Sequence, residues 1–172
     1  YLLKPSHDYK LKHGAYGPGR SVLISCLAKP YSAVAAKLDV LPFMEYHYAY
    51  SLGNYIKKDS SKDLDWKNLQ MACSFSNESD EVGFIMVHVD INQHSPRLVK
   101  GIHQFLKGNR LDGLICVKHC LKHMNDRRKQ MWKASKSVNY NKFRTFIMGI
   151  KGNETIFPHG VVYEGVSDEP RF

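Results

Sequence analysis

Residues 95–132, SPRLVKGIHQFLKGNRLDGLICVKHCLKHMNDRRKQMW, decide the fold class of this chain. Ser95 followed by Pro96 is typical of a helix start, and KGNR at 107–110 ends that first helix. From Leu111 to Trp132 the apolar residues recur at helical spacing, which predicts a second and longer helix. Each helix has one apolar stripe, formed by Val99, Ile102, Phe105 and Leu106 in the first and by Leu114, Val117, Leu121 and Met124 in the second. This stretch therefore predicts a mostly α-helical protein.

The rest of the chain predicts further helices with less uniform signals. Helix formers follow Pro30 in the segment 27–38, and Pro42 is suited to the first turn of a helix over 41–57. Asp65 is a candidate cap for a short helix at 66–69, and 138–150 has one apolar side. The segment 83–89 fits a short buried strand and a helix equally well, and the residues after 150 predict turns.

The composition describes a folded chain with a basic surface. Its 172 residues are 43% apolar and have a formal charge of +9, a length that suits one ordinary domain or two small ones. The positive residues are scattered, apart from Arg127-Arg128-Lys129, so nucleic-acid binding is not the favoured interpretation. It stays open as a third and weaker alternative.

Cysteine content and hydropathy give expectations about location. Four cysteines are too few for a disulfide-stapled mini-protein, which favours a reducing compartment. No stretch approaches the roughly 18 apolar residues of a membrane-spanning helix. We therefore expect an intracellular and cytoplasmic protein that has no membrane partner.

One helix face resembles a metal site in its residue types. Cys116, His119, Cys120 and His123 recur at spacings of three and four, so all four lie on the same side of a helix. Zinc sites use two cysteines and two histidines, but a single straight helix cannot surround an ion tetrahedrally. Small thiols beside two surface imidazoles are the favoured interpretation, and no metal ligand is predicted here.

Two polar side chains interrupt apolar segments and are candidate ligand-binding residues. His88 lies in the run GFIMVHV, where a neutral imidazole can accept a hydrogen bond or bind a ligand. Arg144 lies in the apolar helix KFRTFIMGI, where a buried guanidinium needs a carboxylate partner from the protein or from a ligand. A histidine bonded within the core and an internal ion pair are the alternatives, and both stay open.

Five segments in register resemble the indoleamine 2,3-dioxygenase family. They are AKPYSAVAAKLDVLP at 28–42, NYIKKD at 54–59, SFSNESDEVGFIMV at 74–87, RTFIMGIKGN at 144–153 and GVVYEGVSDEPRF at 160–172. The most specific part is KGN followed by the G-x-V-Y-E-G motif. Members of this family are haem enzymes that oxidatively open the indole ring of tryptophan to N-formylkynurenine.

The resemblance implies an all-α, indoleamine 2,3-dioxygenase-like helical fold that is incomplete at its C-terminal side. Residues 1–75 would form part of a small N-terminal helical domain, and 76–172 would be the first helices of a large haem-binding domain. The family's proximal histidine lies beyond the position of Phe172, so the iron ligand is not expected in this chain. A C-terminal half or a protein partner would complete the haem pocket.

The resemblance also implies roles for individual residues. Phe84 matches the aromatic residue that packs against the indole ring above the haem, and Arg144 matches the arginine that pairs with the substrate carboxylate. His88 is expected on the distal side of the haem beside Phe84. His47, in place of a tyrosine, and Ile147 are the other expected substrate-binding residues.

Two substitutions relative to the family bear on substrate binding, and one alternative function stays open. Ile85 and Asn139 stand where the family has aromatic residues, which would weaken stacking on an indole ring. Because iron and dioxygen carry the chemistry, no catalytic side chain is assigned. The alternative to a dioxygenase-like haem protein is a haem-free, catalytically inactive derivative that serves as a structural or protein-interaction subunit.

Overall fold

The computed structural model describes residues 12–14, 17, 19–43, 46–76, 78–144, 150 and 154–171. They divide into two compact units. The first takes its residues from 1–46 and 141–172, and the second is 47–140. Ile147 lies outside the described residues.

The chain is mostly helical, as predicted, with two small sheets. In order along the chain the strands and helices are β1 (Val22–Leu23), α1 (Ser25–Lys37), β2 (Tyr55–Lys57), β3 (Leu69–Met71), α2 (Ser79–Asn92), α3 (Ser95–Leu106), α4 (Arg110–Arg128), α5 (Met131–Ala134), α6 (Ser137–Arg144), β4 (Val161–Tyr163) and β5 (Ser167–Arg171). A π-helical segment (Tyr46–Leu52) precedes β2, and a 3-10 turn (Trp66–Asn68) precedes β3.

The first unit contains α1 and a three-stranded sheet. Strand β4 is central, with β1 parallel on one side and β5 antiparallel on the other. Its core is formed by Leu23, Ala28, Ile156, Phe157, Val161 and Tyr163. The residues after 150, for which the sequence predicts turns, therefore include two strands, because β4 pairs with the distant β1 and β5 pairs with β4.

In the second unit, α4 packs against both α2 and α3, and α2 also packs against α5. The α3–α4 pair packs closely through two glycines. A Cβ at Gly101 would lie 3.0 Å from the Gly113 carbonyl oxygen, and a Cβ at Gly113 would lie 2.6 Å from the Phe105 backbone nitrogen. The two helix backbones are therefore in direct contact where no side chain intervenes.

Helix α2 resolves the alternative between strand and helix for residues 83–89. Ile85, Met86, Val87 and Val89 are all buried, so several faces of the helix lie within the unit. Continuous burial of this kind produces the same apolar run as a buried strand, and hydrophobic periodicity cannot separate the two. The helix continues to Asn92.

Two predicted helices have different bounds in the structure. The helix predicted over 41–57 is wrong at 41–43, which are not helical, and after Leu52, because β2 pairs there with β3 in an antiparallel hairpin. The Asn54 side chain fixes this change of direction by bonding the Cys73 backbone on both its nitrogen (2.8 Å) and its oxygen (2.7 Å). The helix predicted over 111–132 ends at Arg128 and resumes as α5.

Two other local predictions are confirmed. The Asp65 side chain accepts a hydrogen bond from the Lys67 backbone nitrogen at 2.9 Å, which caps the 3-10 turn. Ser95 and Pro96 begin α3. None of the helices in the described ranges has the length and apolar character needed to cross a membrane.

Candidate functional site

An open groove of about 460 Å³ lies within the 47–140 unit. It is lined by Phe84, His88, Ile91, Arg128, Met131, Trp132 and Tyr140. The three residues from α2 are spaced by four and three positions, which places them on one face of the helix. The opposite wall comes from the end of α4, from α5 and from the start of α6.

Phe84 lies at the centre of an aromatic cluster that includes residues from both walls of the groove. Its ring centroid is 4.6 Å from the Tyr140 ring, at an angle of 44°, and 4.6 Å from the His88 ring, at 57°. Tilted pairs at this separation are favourable for aromatic rings. All three rings are among the residues that line the groove.

His88 has a defined protonation state. Burial lowers its pKa, a hydrogen bond with the Phe84 carbonyl opposes that effect, and His47 lowers the pKa further. The imidazole is therefore neutral at pH 7. Its Nδ1 lies 2.8 Å from the Phe84 carbonyl oxygen, which can only accept, so Nδ1 carries the proton and Nε2 carries the lone pair.

An ionic network around the buried Asp90 holds the end of α4 against α2. The Asp90 carboxylate is completely buried and accepts two hydrogen bonds from the Arg127 guanidinium, one of them at 2.7 Å. Arg127 also contacts Asp65 at 2.5 Å. The hydrogen bonds with Asp90, together with those to Asp65, raise the pKa of Arg127 further above its usual value. This network therefore links α2 to Arg127, the residue that precedes the groove residue Arg128.

A second anchor positions Tyr140. The Asp80 carboxylate at the start of α2 accepts hydrogen bonds from the Lys136 backbone nitrogen and from the Asn139 side chain, the latter at 2.8 Å. This hydrogen bond holds Asn139 against α2. The next residue, Tyr140, contributes its ring to the groove. Ile85 is completely buried, and neither Ile85 nor Asn139 is one of the residues that line the groove.

The structure brings together some of the predicted site residues. Phe84 and His88 are in ring contact and both line the groove. His47 lies in the π-helical segment with an exposed side chain and is not one of the lining residues. Its positive form nevertheless affects the pKa of His88, so the two imidazoles are electrostatically coupled.

Arg144 differs from the expectation of a buried charge. It is the last residue of α6, belongs to the unit that includes 141–172, and has an exposed side chain. The expectation of a buried guanidinium is therefore wrong, since the Arg144 side chain is exposed. Ile147, as noted, is not among the described residues.

Five lining residues were not identified from the sequence as site residues: Ile91, Arg128, Met131, Trp132 and Tyr140. Ile91 could have been found, since it continues the spacing of Phe84 and His88 along one helix face. The other four depend on how α4, α5 and α6 turn back toward α2. No pattern of neighbouring residues in the sequence predicts that arrangement.

The cysteine and histidine face of α4 is held by backbone contacts. The Cys120 thiol is buried and donates to the His94 carbonyl oxygen at 3.2 Å, and the Cys116 thiol donates to the Arg97 carbonyl oxygen at 3.5 Å. His123 is exposed and stacks on His94 at 5.8 Å. Within the described ranges, no three His, Cys, Asp or Glu side chains are grouped to hold a metal ion.

The groove can therefore bind a flat, mostly apolar molecule. Aromatic rings and aliphatic side chains provide stacking and exclude water, and a neutral imidazole provides a hydrogen-bond acceptor. Arg128 is the one formally charged side chain among the lining residues.

Comparisons with known proteins agree on one family. The profile of the family described as indoleamine 2,3-dioxygenase matches residues 7–171. The chain is 27% identical to indoleamine 2,3-dioxygenase 1 of Rattus norvegicus over 88% of its length and 39% of that protein. It is 29% identical to human indoleamine 2,3-dioxygenase 2 (87% and 38%) and 27% identical to the Saccharomyces cerevisiae indoleamine 2,3-dioxygenase (87% and 36%). The chain thus spans less than half the length of these relatives.

Proposed function

This chain belongs to the indoleamine 2,3-dioxygenase family, and we propose that it forms the distal wall of the ligand pocket in a haem-dependent dioxygenase. The proposed substrate is tryptophan or a related indoleamine, with tryptophan opened to N-formylkynurenine. The observation that carries the proposal is the cluster of Phe84, His88 and Tyr140 on the groove wall. An indole ring is recognised by aromatic surfaces arranged in this way.

The groove residues fit a haem as the cofactor. Ile91, Met131 and Trp132 would hold the apolar face of the macrocycle, and the neutral His88 places no charge against it. When bound, haem supplies the iron that binds and activates dioxygen. The chain's own contribution is to orient the indole ring and to exclude water from it.

His88 is the residue with a defined polar role in this proposal. Because Nδ1–H is bonded to the Phe84 carbonyl, the lone pair on Nε2 makes this nitrogen the acceptor. An indole N–H is a donor, so His88 would accept a hydrogen bond from the substrate and fix the ring's orientation.

The remaining expected site residues extend the proposal beyond the groove. Arg144 would bind the substrate carboxylate, and Ile147 and His47 would border the substrate. A segment corresponding to the C-terminal half of the relatives, or a protein partner, would complete the pocket and supply the iron ligand. In that arrangement 1–75 belongs to the small domain and 76–172 to the haem-binding domain.

The test uses the natural full-length protein. It should show the intense Soret absorbance of bound haem and convert tryptophan to N-formylkynurenine. Phe84→Ala should lower kcat/KM about tenfold, since an aromatic contact is worth roughly 0.5–1.5 kcal/mol beyond burial. Phe105→Ala is the matched control, because Phe105 lies on α3 away from the groove. Haem binding without turnover, or an unchanged kcat/KM for Phe84→Ala, would contradict the proposal.

A second candidate function rests on the surface of α3 and α4. Leu106 is 76% exposed and Leu111 is 71% exposed, and residues 95–129 hold nine Lys and Arg against two Asp. Exposed apolar residues with a strong positive charge suit an interaction surface for an acidic partner. A full-length protein that takes up no haem would favour this haem-free structural subunit.

A further inference from the structure

Helix α4 carries an exposed line of residues with heptad spacing. Alternating steps of three and four positions connect Leu111, Leu114, Lys118, Leu121 and Asn125, and all five are exposed. This alternation gives the mean step of about 3.5 residues that defines the a and d positions of a coiled coil. In a coiled coil such a seam is covered by a facing helix, whereas here it is open to solvent.

Helix α3 contributes to the same side of the α3–α4 pair. The two helices are joined by residues 107–109 and touch at Gly101 and Gly113, so they run antiparallel. One position after each glycine, Ile102 and Leu114 are turned by about 100° from the contact. Because antiparallel helices turn in opposite senses when viewed from one end, both side chains lie on the same side of the pair. We call this side the hairpin face, and its exposed apolar residues are Val99, Ile102, Leu106, Leu111, Leu114 and Leu121.

The hairpin face is positively charged at its centre. Lys118 takes the seam position between Leu114 and Leu121, and across the described ranges no carboxylate lies within ion-pair distance of it. Asp112 comes one position before Gly113, so it is turned away from the contact in the opposite sense and lies on the other side of the pair. A charged residue at a single seam position selects the partner helix that can neutralise it.

These features favour one kind of occupant over two others. A second copy of this chain would bring like charges together, since residues 95–129 hold nine Lys and Arg against two Asp. An anionic lipid surface would match the charge, but it has no need of heptad spacing. A helix with apolar residues at its own a and d positions and a carboxylate opposite Lys118 matches both the spacing and the charge.

We infer that the hairpin face is the docking site for an acidic amphipathic helix of another protein. The inference rests on the second candidate function, the interaction surface, and adds to it the form and charge of the partner. It requires neither haem nor tryptophan. The apolar residues supply the buried contact, and Lys118 selects an acidic helix over a basic one.

The experiment uses the natural full-length protein and two synthetic helical peptides of about three heptads. Both peptides have leucine at a and d except at one central a position, which is glutamate in the acidic peptide and lysine in the basic one. The same residue fills the e and g positions, which keeps copies of one peptide apart. Fluorescence anisotropy measures Kd for the wild type, Leu121→Gln, Lys118→Glu and the control Lys100→Glu. Lys100 is exposed and comes one position before Gly101, which places it on the opposite side from the hairpin face.

The acidic peptide should bind the wild type and the basic peptide should not. Leu121→Gln should weaken binding of the acidic peptide about tenfold or more. Lys118→Glu should weaken it by a similar factor and should also create affinity for the basic peptide. A variant that only disturbed folding would lose affinity without exchanging its preference. Lys100→Glu should keep the preference of the wild type.

The inference would be overturned if the wild type bound the two peptides equally, or bound neither because another part of the full-length chain covers the face. Equal effects of Lys118→Glu and Lys100→Glu would also overturn it. A dimer in sedimentation that Leu121→Gln dissociates would assign the face to a second copy. Binding to phosphatidylserine vesicles without peptide binding would assign it to a lipid surface. The Soret absorbance of the same protein is read separately, so a failure of the dioxygenase proposal and a failure of this inference are told apart.

Discussion

Tyr50 donates its phenolic hydrogen to the carboxylate of Glu81, which is completely buried at the start of α2. The same carboxylate accepts hydrogen bonds from the Phe75 backbone (2.8 Å) and from both the backbone (2.7 Å) and the hydroxyl (2.6 Å) of Ser76. Four donors thus surround one buried side chain. Glu81 joins the π-helical segment, the 75–76 loop and α2, which places the helix that carries Phe84 and His88.

Glu81→Gln should therefore destabilise the protein more than its small change in shape suggests. The amide nitrogen of glutamine is a donor and would face donors, which leaves at least two buried polar groups unpaired. The expected loss is about 2–4 kcal/mol in the free energy of unfolding. Urea denaturation measures it, and Glu78→Gln is the control because Glu78 is exposed at the N-cap of the same helix. Similar losses for the two variants would show that the buried carboxylate is not the cause.

Gly83 is a position where a single methyl group should be disruptive. A Cβ there would lie 1.8 Å from the Ala134 carbonyl oxygen, and a backbone atom cannot turn away as a side chain can. Gly83→Ala should cost about 3 kcal/mol, the upper end of the usual overpacking range. The measurement is the denaturation midpoint together with the groove's affinity for 3-methylindole, since α2 and α5 must separate.

The control for this variant is Ser79→Ala. Ser79 is exposed in the first turn of α2, so its replacement should change stability by about 0.5 kcal/mol or less. A Gly83→Ala protein with the stability of Ser79→Ala would refute the close packing of α2 on α5.

Arg127 stabilises the end of α2 through the buried Asp90. Among the described residues, Arg127→Met would leave that carboxylate with two hydrogen-bond donors, the Trp66 backbone nitrogen (3.0 Å) and the Gln93 amide (2.9 Å). Removing one partner of a buried ion pair costs about 3–5 kcal/mol. Lys122→Met, which breaks an exposed pair with Asp126, should cost about 1 kcal/mol or less. Equal unfolding free energies for both variants, measured in urea, would contradict this role.

Helices were predictable where the signals are local. The Ser95-Pro96 start and the Asp65 cap depend on neighbouring residues, and both are present in the structure. The β2 strand was missed because the residues of 41–57 have helical spacing throughout. What ends the π-helical segment is the bonding of Asn54 to Cys73, which lies nineteen positions away in the sequence.

The candidate site likewise has one part that the sequence could predict and one part that it could not. Phe84 and His88 lie four positions apart on one helix, so their contact follows from the helical period. Tyr140 is 56 positions from Phe84 in the sequence. Its position depends on the hydrogen bond from Asn139 to Asp80 and on the close approach of the Ala134 backbone to Gly83. The apolar stripes of α3 and α4 are also misleading for packing. Leu106 and Leu114 from these stripes are exposed, and the helices meet at Gly101 and Gly113, which a hydrophobic pattern does not identify.

Acidification should destabilise the protein through two histidines. Burial is the main cause that lowers the pKa of both His88 and His94, with His47 and His123 respectively adding to the effect. Between the folded pKa and the unfolded value of about 6.5, the unfolded state binds more protons. The free energy of unfolding therefore rises with pH through that window, and the contribution is lost as pH falls from about 6.5 through the folded pKa.

The measurement is urea denaturation at several pH values between 7 and 5. Each histidine can contribute a slope of at most about 1.4 kcal/mol per pH unit. His88→Gln removes one of the two groups, so its stability should fall less steeply on acidification than that of the wild type. His103→Gln, an exposed residue of α3, should follow the wild-type slope. If His88→Gln and His103→Gln lose stability in parallel, protonation of His88 is not penalised by the fold, and its assignment as a neutral acceptor in the groove fails with it.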